Sequence, residues 1–302
     1  MERVSFLSLA PVALAAGLMV SGLNGQAPQQ RVLDQLPDED SFAHGAGKAV
    51  QPFFEGWQPM PDGHVAMWFG YLNLNYEEEP DIAIGANNKF SLRDDMGQPT
   101  HFLPRRQWFV FKVDLPKDWD KDKRLVWTVT ANGQTSSANG WLQPEWEVDE
   151  GVMQMNIGPG GAPSVDPPNM APKLTGSGDL SATVGKPVPL SVSATDDGIP
   201  KPRNRSAAAA AAGAPRPPLP PGATPAPRAQ LGLRIRWELY RGPAEGGRVM
   251  FEPESNKPAM GATTSELATQ ATFSAPGTYW LRAIASDGML ETPYDVKVTV
   301  KR

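Results

Sequence analysis

In the second half of the chain the apolar positions fall on every second residue. Val188, Leu190, Val192 and Ala194 alternate with Pro189, Ser191 and Ser193. Leu233, Ile235, Trp237 and Leu239 alternate with Arg234, Arg236 and Glu238, and Val296, Val298 and Val300 with Asp295, Lys297 and Thr299. Between them lie Ala271-Thr272-Phe273-Ser274 and the run from Gly277 to Ala285. A period of two sends successive side chains to opposite faces of a strand, and none of these segments has helical spacing. Each strand therefore has one apolar face, and two antiparallel sheets packed together bury such faces.

Residues 50–157 also read as strands. Val65 to Leu72 is apolar on both faces, as a central strand is. Phe109, Phe111 and Val113 fall on one face of the next strand, with Trp108 and Val110 on the other. Leu125, Trp127 and Val129 then alternate with Val126, Thr128 and Thr130. Turn residues separate these runs: Pro61-Asp62-Gly63, Asn87-Asn88, Asp94-Asp95-Met96-Gly97 and Asn132-Gly133. The Asn-Gly pair after Thr128-Val129-Thr130 predicts a two-residue hairpin.

Composition sharpens this into an all-β chain of two sandwich-like domains. The 32 Pro and 29 Gly break helices, and 302 residues supply real cores without disulfides. Residues 28–168 carry 11 Lys+Arg against 21 Asp+Glu, whereas residues 169–302 carry 16 against 11. Seven of the nine tryptophans fall between Trp57 and Trp146. An acidic, Trp-rich domain at 50–157 and a basic one at 170–302 follow, joined by a Pro/Gly linker at 158–169. Residues 199–230, with Ala207 to Ala212 and repeated prolines, read as a disordered insertion.

Met1-Glu2-Arg3 precedes an apolar run from Phe6 to Val20 and small residues to Ala27, the layout of a signal peptide at 1–27. The run is short of the roughly 20 residues of a membrane span, so no integral membrane protein is expected after cleavage. A flexible segment at 28–49 follows. The expected location is periplasmic or extracellular, and the absence of cysteine suits a bacterium.

Val184-Gly185-Lys186-Pro187-Val188, Ser193-Ala194-Thr195-Asp196-Asp197-Gly198, Phe273-Ser274-Ala275-Pro276-Gly277-Thr278-Tyr279 and Ala285-Ser286-Asp287-Gly288 resemble signatures of bacterial extracellular Ig-like modules. The similarity is to the polycystic-kidney-disease and cadherin-like types. It implies an Ig-like C-terminal sandwich with Tyr279 as a tyrosine corner, Trp237 in the core and Leu281 where a disulfide cysteine stands in antibody domains. It also implies spacing, adhesion or ligand display rather than catalysis. Gly70-Tyr71-Leu72-Asn73, Ile84-Gly85-Ala86-Asn87-Asn88 and Gly97-Gln98-Pro99-Thr100-His101-Phe102 resemble a domain of uncharacterised secreted bacterial proteins, which implies no activity.

Four groups of residues are candidates for chemistry. Trp141 and Trp146 beside Glu145 and Glu147 would stack on sugar rings if exposed, and would fill a core if not. Asp196, Asp197 and Asp287 lie on loops that emerge at one end of an Ig-like sandwich, where they would bind calcium or simply form turns. Trp280, Arg282 and Ile284 point away from the C-terminal core beside Arg234, Arg236 and Lys297. That face would dock either a foreign partner or the acidic domain of the same chain. His101, with Glu77-Glu78-Glu79 upstream, is a general-base candidate, but no nucleophile elbow, zinc helix or phosphate loop accompanies it. The negative net charge and the expected export disfavour nucleic acid. The sequence thus points to a non-catalytic binding or structural protein of the cell envelope. Its partner would be an envelope protein or a polysaccharide, and the alternative is a carbohydrate-binding or carbohydrate-processing protein.

Overall fold

The computed structural model describes residues 44–157, 168–201 and 232–302. The expected signal peptide, residues 28–43 of the segment 28–49, most of the linker and most of the 199–230 insertion lie outside the described residues. The N-terminal part holds β1 (Val50–Pro59), β2 (Val65–Asn73), β3 (Asn88–Phe90), β4 (Arg105–Leu115), β5 (Leu125–Ala131), β6 (Gln134–Gly140) and α1 (Glu150–Ile157). The C-terminal part holds β7 (Lys173–Gly176), β8 (Leu180–Thr183), β9 (Val188–Thr195), β10 (Arg234–Arg241), β11 (Val249–Glu252), β12 (Thr264–Phe273), β13 (Gly277–Ser286) and β14 (Glu291–Lys301). No helix among the described residues is long and apolar enough to cross a membrane.

The C-terminal strands form the sheets β7-β9-β12-β11 and β8-β14-β13-β10. This is the immunoglobulin arrangement, with the first strand divided between the sheets: β7 pairs antiparallel with β9, and β8 parallel with β14. The alternation sets the core directly. Ile235, Trp237, Tyr279, Leu281, Val296 and Val298 are all fully buried, and Trp237 stacks on Phe251 with centroids 6.2 Å apart. The Tyr279 hydroxyl donates to the Ala275 carbonyl at 2.8 Å, which pins the turn into β13.

The N-terminal sandwich packs β1-β2-β4 on β3-β5-β6. β2 is the middle strand of its sheet, and Phe69 lies against Phe90, Phe111 and Trp127, with centroids 5.1, 5.7 and 6.1 Å away. Buried aromatic rings carry polar atoms that need partners. The Trp127 indole donates to Asn88 Oδ1 at 2.9 Å, while the Asn88 amide nitrogen donates to the carbonyls of Ile82 and Pro99. The β5–β6 hairpin turns at Asn132 and Gly133, both with positive φ (49° and 73°), as a two-residue turn of this type demands.

Two features depart from the sequence pattern. Phe109 does not share the core face with Phe111. Phe69 pairs with Phe111 and Tyr71 with Gln107, so Trp108, Phe109 and Val110 together oppose Gly70 in a bulge. Phe109 has φ 47°, which turns its ring toward Trp68, Val148, Met153 and Leu290. The second is α1, whose residues show no helical apolar stripe. Asp149 supplies its start, with Oδ1 accepting the Val152 N–H at 2.8 Å.

Replacing Tyr279 by Phe removes one partly buried hydrogen bond and leaves the ring in place. It is expected to lower unfolding free energy by about 1 kcal/mol, measurable by urea denaturation; an unchanged midpoint would show that the Ala275 contact adds nothing.

Candidate functional site: the cleft between the sandwiches

The outer face of β10, β13 and β14 points away from the C-terminal core, yet Tyr240, Arg282 and Ile284 on it are buried. The N-terminal sandwich covers them. The Tyr240 carbonyl accepts the N–H groups of Thr100 (3.1 Å) and His101 (3.3 Å), and the Gly242 N–H donates to Thr100 Oγ1. The Tyr240 hydroxyl donates to the Gly97 carbonyl, and Arg241 bonds the Gln98 carbonyl and the Asp95 carboxylate. Arg282 spans the junction. It makes a bidentate pair with Asp295 (2.7 and 2.8 Å), donates to the Val110 carbonyl (2.7 Å) and lies 3.4 Å above the Tyr240 ring.

Beside this seam a cleft of about 260 Å³ stays open. Trp68, Gln107 and Trp108 form one wall, Arg236 and Glu238 face them from the other, and Asn156 of α1 contributes at one end. The rim is an aromatic clamp: the Arg106 guanidinium lies between the rings of Phe53 (4.4 Å) and Trp108 (3.7 Å). Both rings are well exposed, 37% and 40%. Arg106 also holds Glu55 at 2.6 Å across the sheet face. Gly70 makes that crossing possible, because a Cβ there would collide with Glu55 Oε1 and the Gln107 carbonyl. Arg105 and Phe109, at φ 68° and 47°, bracket the clamp. Positive φ at bulky residues is costly and persists where surrounding contacts over-determine it, so the clamp geometry is held by the fold.

Burial raises the Glu238 carboxyl above its ordinary range, against the opposing pull of Arg236. It does the same to Glu55 against Arg106. Burial likewise works against the Arg236 charge, but Glu291 and Glu238 outweigh it and hold the guanidinium protonated. Both carboxylates lining the cleft, Glu238 and Glu291, stand on the C-terminal wall and share Arg236, at 3.5 and 3.0 Å. Among the lining residues no second carboxyl faces them from the other wall, the arrangement that two-carboxylate hydrolysis uses.

The sequence-derived candidates are distributed as follows. Arg236, Arg282 and Ile284 line the cleft, and Trp280 remains on the surface, 39% exposed, 6.0 Å from the Arg241 guanidinium. What covers this face is the chain's own N-terminal sandwich. Trp141 is half-buried under the Arg124 guanidinium, and Trp146 packs on Phe54 with centroids 5.6 Å apart while remaining 44% exposed. Glu145 and Glu147 are exposed beside them. His101 has both ring nitrogens engaged, by Asp81 at 2.8 Å and Glu79 at 3.1 Å. Burial would lower its pKa, but these two hydrogen bonds and charges raise it to about 9. At neutral pH it is a cation and has no lone pair for general-base work.

Asp196, Asp197 and Asp287 share one end of the C-terminal sandwich. Asp287 is fully buried and accepts the N–H groups of Met289 and Leu290 and the amide of Asn169. Asp197 accepts the N–H groups of Met170 and Ile199, and Asp196 that of Gly198. Burial, then the charges of Asp287 and Asp197, push the Asp196 carboxyl up to about 6. Two buried oxygens of this group, Asp196 Oδ1 and Asn169 Oδ1, lack a hydrogen-bond partner. Among the described residues no group of three or more His, Asp or Glu is arranged to hold a metal by itself. Asn169, which the sequence reading did not single out, is the additional oxygen donor here.

No protein-family model matches the chain, and no curated protein matches it. Solved structures similar to it include domains 4 and 5 of the S-layer protein SbsC (9% identity, 60% of this chain and 66% of that one, TM-score 0.25). The D00-D0 domain of intimin (8%, 84% and 100%, 0.25) and fibronectin(III)-like modules of CbhA from Clostridium thermocellum (11%, 87% and 92%, 0.22) are others. At such TM-scores a match carries no information on function.

Two outcomes test the junction. Arg282→Ala leaves Asp295 and the Val110 carbonyl without their donor and is expected to cost about 3 kcal/mol in a denaturant titration; a loss within error would mean that Arg282 is dispensable to the seam. His101 has a folded pKa raised above its ordinary 6.5, so its stabilisation is complete below about pH 6.5 and is lost as pH rises through about 9. The melting temperature should fall across that window, and His101→Gln should flatten that limb.

Proposed function

We propose that the chain is an exported, non-catalytic binding or structural protein of a bacterial cell envelope. In this reading the Ig-like sandwich is the platform on which the acidic, Trp-rich sandwich is mounted, and its partner is an envelope protein or a polysaccharide. The observation that carries it is the seam itself, where Arg282 and Tyr240 are buried and hydrogen-bonded across both sandwiches. A fixed junction of this kind suits display and load-bearing. The cleft carboxylates support the same reading, because they are bridged by one arginine rather than set across a gap as acid and base. Export rests on the apolar run from Phe6 to Val20. A second reading, carbohydrate binding, is favoured by the exposed rings of Phe53 and Trp108 at the cleft rim.

Calcium belongs to the proposal as a structural ion. Asp196, Asp197, Asp287 and Asn169 would hold it, with water completing the six to eight oxygens that the ion takes. The support is the pair of unpartnered buried oxygens among mutually repelling carboxylates.

Cell fractionation and co-sedimentation of the purified mature chain with isolated envelopes test the main reading. Recovery outside the cytoplasm together with sedimentation on envelopes is expected. A purely cytoplasmic chain, or turnover of glycoside or peptide substrates abolished by Glu238→Gln, would sink it. For calcium, 1 mM ion against chelator should raise the melting temperature by a few degrees, about 1 kcal/mol, and Asp196→Ala should abolish the rise. Identical melting curves would remove calcium from the proposal.

A further inference from the structure

The walls of the cleft constrain what fills it. A simple anion would approach Arg236 but meet Glu238 and Glu291 on the same wall; a simple cation would meet Arg236 and Arg234 beside those carboxylates. The charges balance in number, Arg106, Arg234, Arg236 and Arg282 against Glu55, Glu238, Glu291 and Asp295, and they are paired locally: Arg236 with Glu291 and Glu238, Arg282 with Asp295 and Arg106 with Glu55. What the cleft presents is therefore a mixture of hydrogen-bond donors and acceptors with no net demand for charge. The amide oxygens of Gln107 and Asn156 add acceptors, and each amide nitrogen, which already donates to a backbone carbonyl (Pro104 at 3.0 Å, Val152 at 2.8 Å), keeps a second N–H. Along one side runs an aromatic surface, Trp68 and Trp108, of which Trp108 is 40% exposed.

A neutral ligand with hydroxyls that both donate and accept, and with an apolar ring face, matches that combination. We infer that the cleft binds a neutral glycan, one sugar ring stacking at the rim on the face of Trp108 that Arg106 does not cover while its hydroxyls meet Gln107, Asn156 and Glu238. The volume, about 260 Å³, is below the roughly 300–1,000 Å³ of sites for drug-sized ligands, so it accommodates a short stretch of a chain that continues into solvent past Phe53. The left-handed backbone at Arg105 and Phe109, the Arg106 guanidinium against the ring, and Gly70 beneath the Glu55 pair all fix Trp108 before the ligand arrives. A preorganised platform of this kind lowers the ordering cost of binding. This inference rests on the binding reading above and names the ligand class.

Isothermal titration calorimetry of the mature chain with cellohexaose, mannohexaose and chitohexaose, and with hexagalacturonate as the acidic counterpart, decides it. Saturable binding of at least one neutral hexamer is expected. The affinity should fall about tenfold or more in Trp108→Ala and only a few-fold in Trp108→Phe, a ring being worth about that much in stacking. Trp108→Phe keeps a ring beside Arg106 and should melt with the parent, and a cooperative melt of Trp108→Ala well above the titration temperature shows that it is folded. Failure of every neutral hexamer to bind, binding of hexagalacturonate alone, or unchanged affinity in Trp108→Ala would each overturn the inference. None of these touches envelope co-sedimentation, so the broader reading stands or falls separately.

Discussion

The rest of the structure depends on a guanidinium withdrawn from water. Arg282 sits on a strand face that, in an isolated sandwich, would be solvated; here it is 5% exposed. A buried charge is tolerable only when its donors are spent, and those of Arg282 go to Asp295 on its own sheet and to a backbone carbonyl of the other sandwich. The Val110 carbonyl is available because the β4 bulge takes that stretch out of register with β2. The bulge in turn needs Gly70 opposite and Phe109 in a left-handed conformation. One buried hydrogen bond thus links the strain of β4, the position of Trp108 and the width of the cleft.

The opposite net charges of the two halves matter less than they suggest. Asp95–Arg241 joins them at a carboxylate that is more than half exposed, and exposed pairs contribute about 0–1 kcal/mol. Salt screens them further. The seam is held mainly by burial of Tyr240 and Ile284 and by the penalty for stranding Arg282. Charge asymmetry gives orientation; desolvated contacts give strength.

Much of the fold was legible because alternation reports which side of a strand a residue occupies. Ile235, Trp237 and Leu281 could be placed in the core this way, and the Asn132-Gly133 turn followed from its own backbone needs. Alternation does not report what covers the far side of a sheet. Arg282, Ile284 and Arg236 were recognisable as pointing outward, but a solvated face and a docked one have the same pattern. The cleft was hidden for the same reason, with a further obstacle at Phe109, where one residue in the left-handed region shifts every later side chain of the bulge. Asn169 carries no periodic signal and acquires its place only through Asp287. The helix at Glu150–Ile157 has too little amphipathicity to announce itself and depends on Asp149.

The division of the first C-terminal strand has a mechanical consequence. β8 runs parallel to β14, the last strand, with Leu180 to Thr183 beside Val298 to Lys301, and the Val184 N–H extends the ladder to the Lys301 carbonyl. Tension entering at the start of the sandwich and leaving at its end would pull these neighbours past one another lengthwise. Their hydrogen bonds would then bear the load together in shear, not open one after another like a zipper, and the sandwich would yield late and abruptly to force.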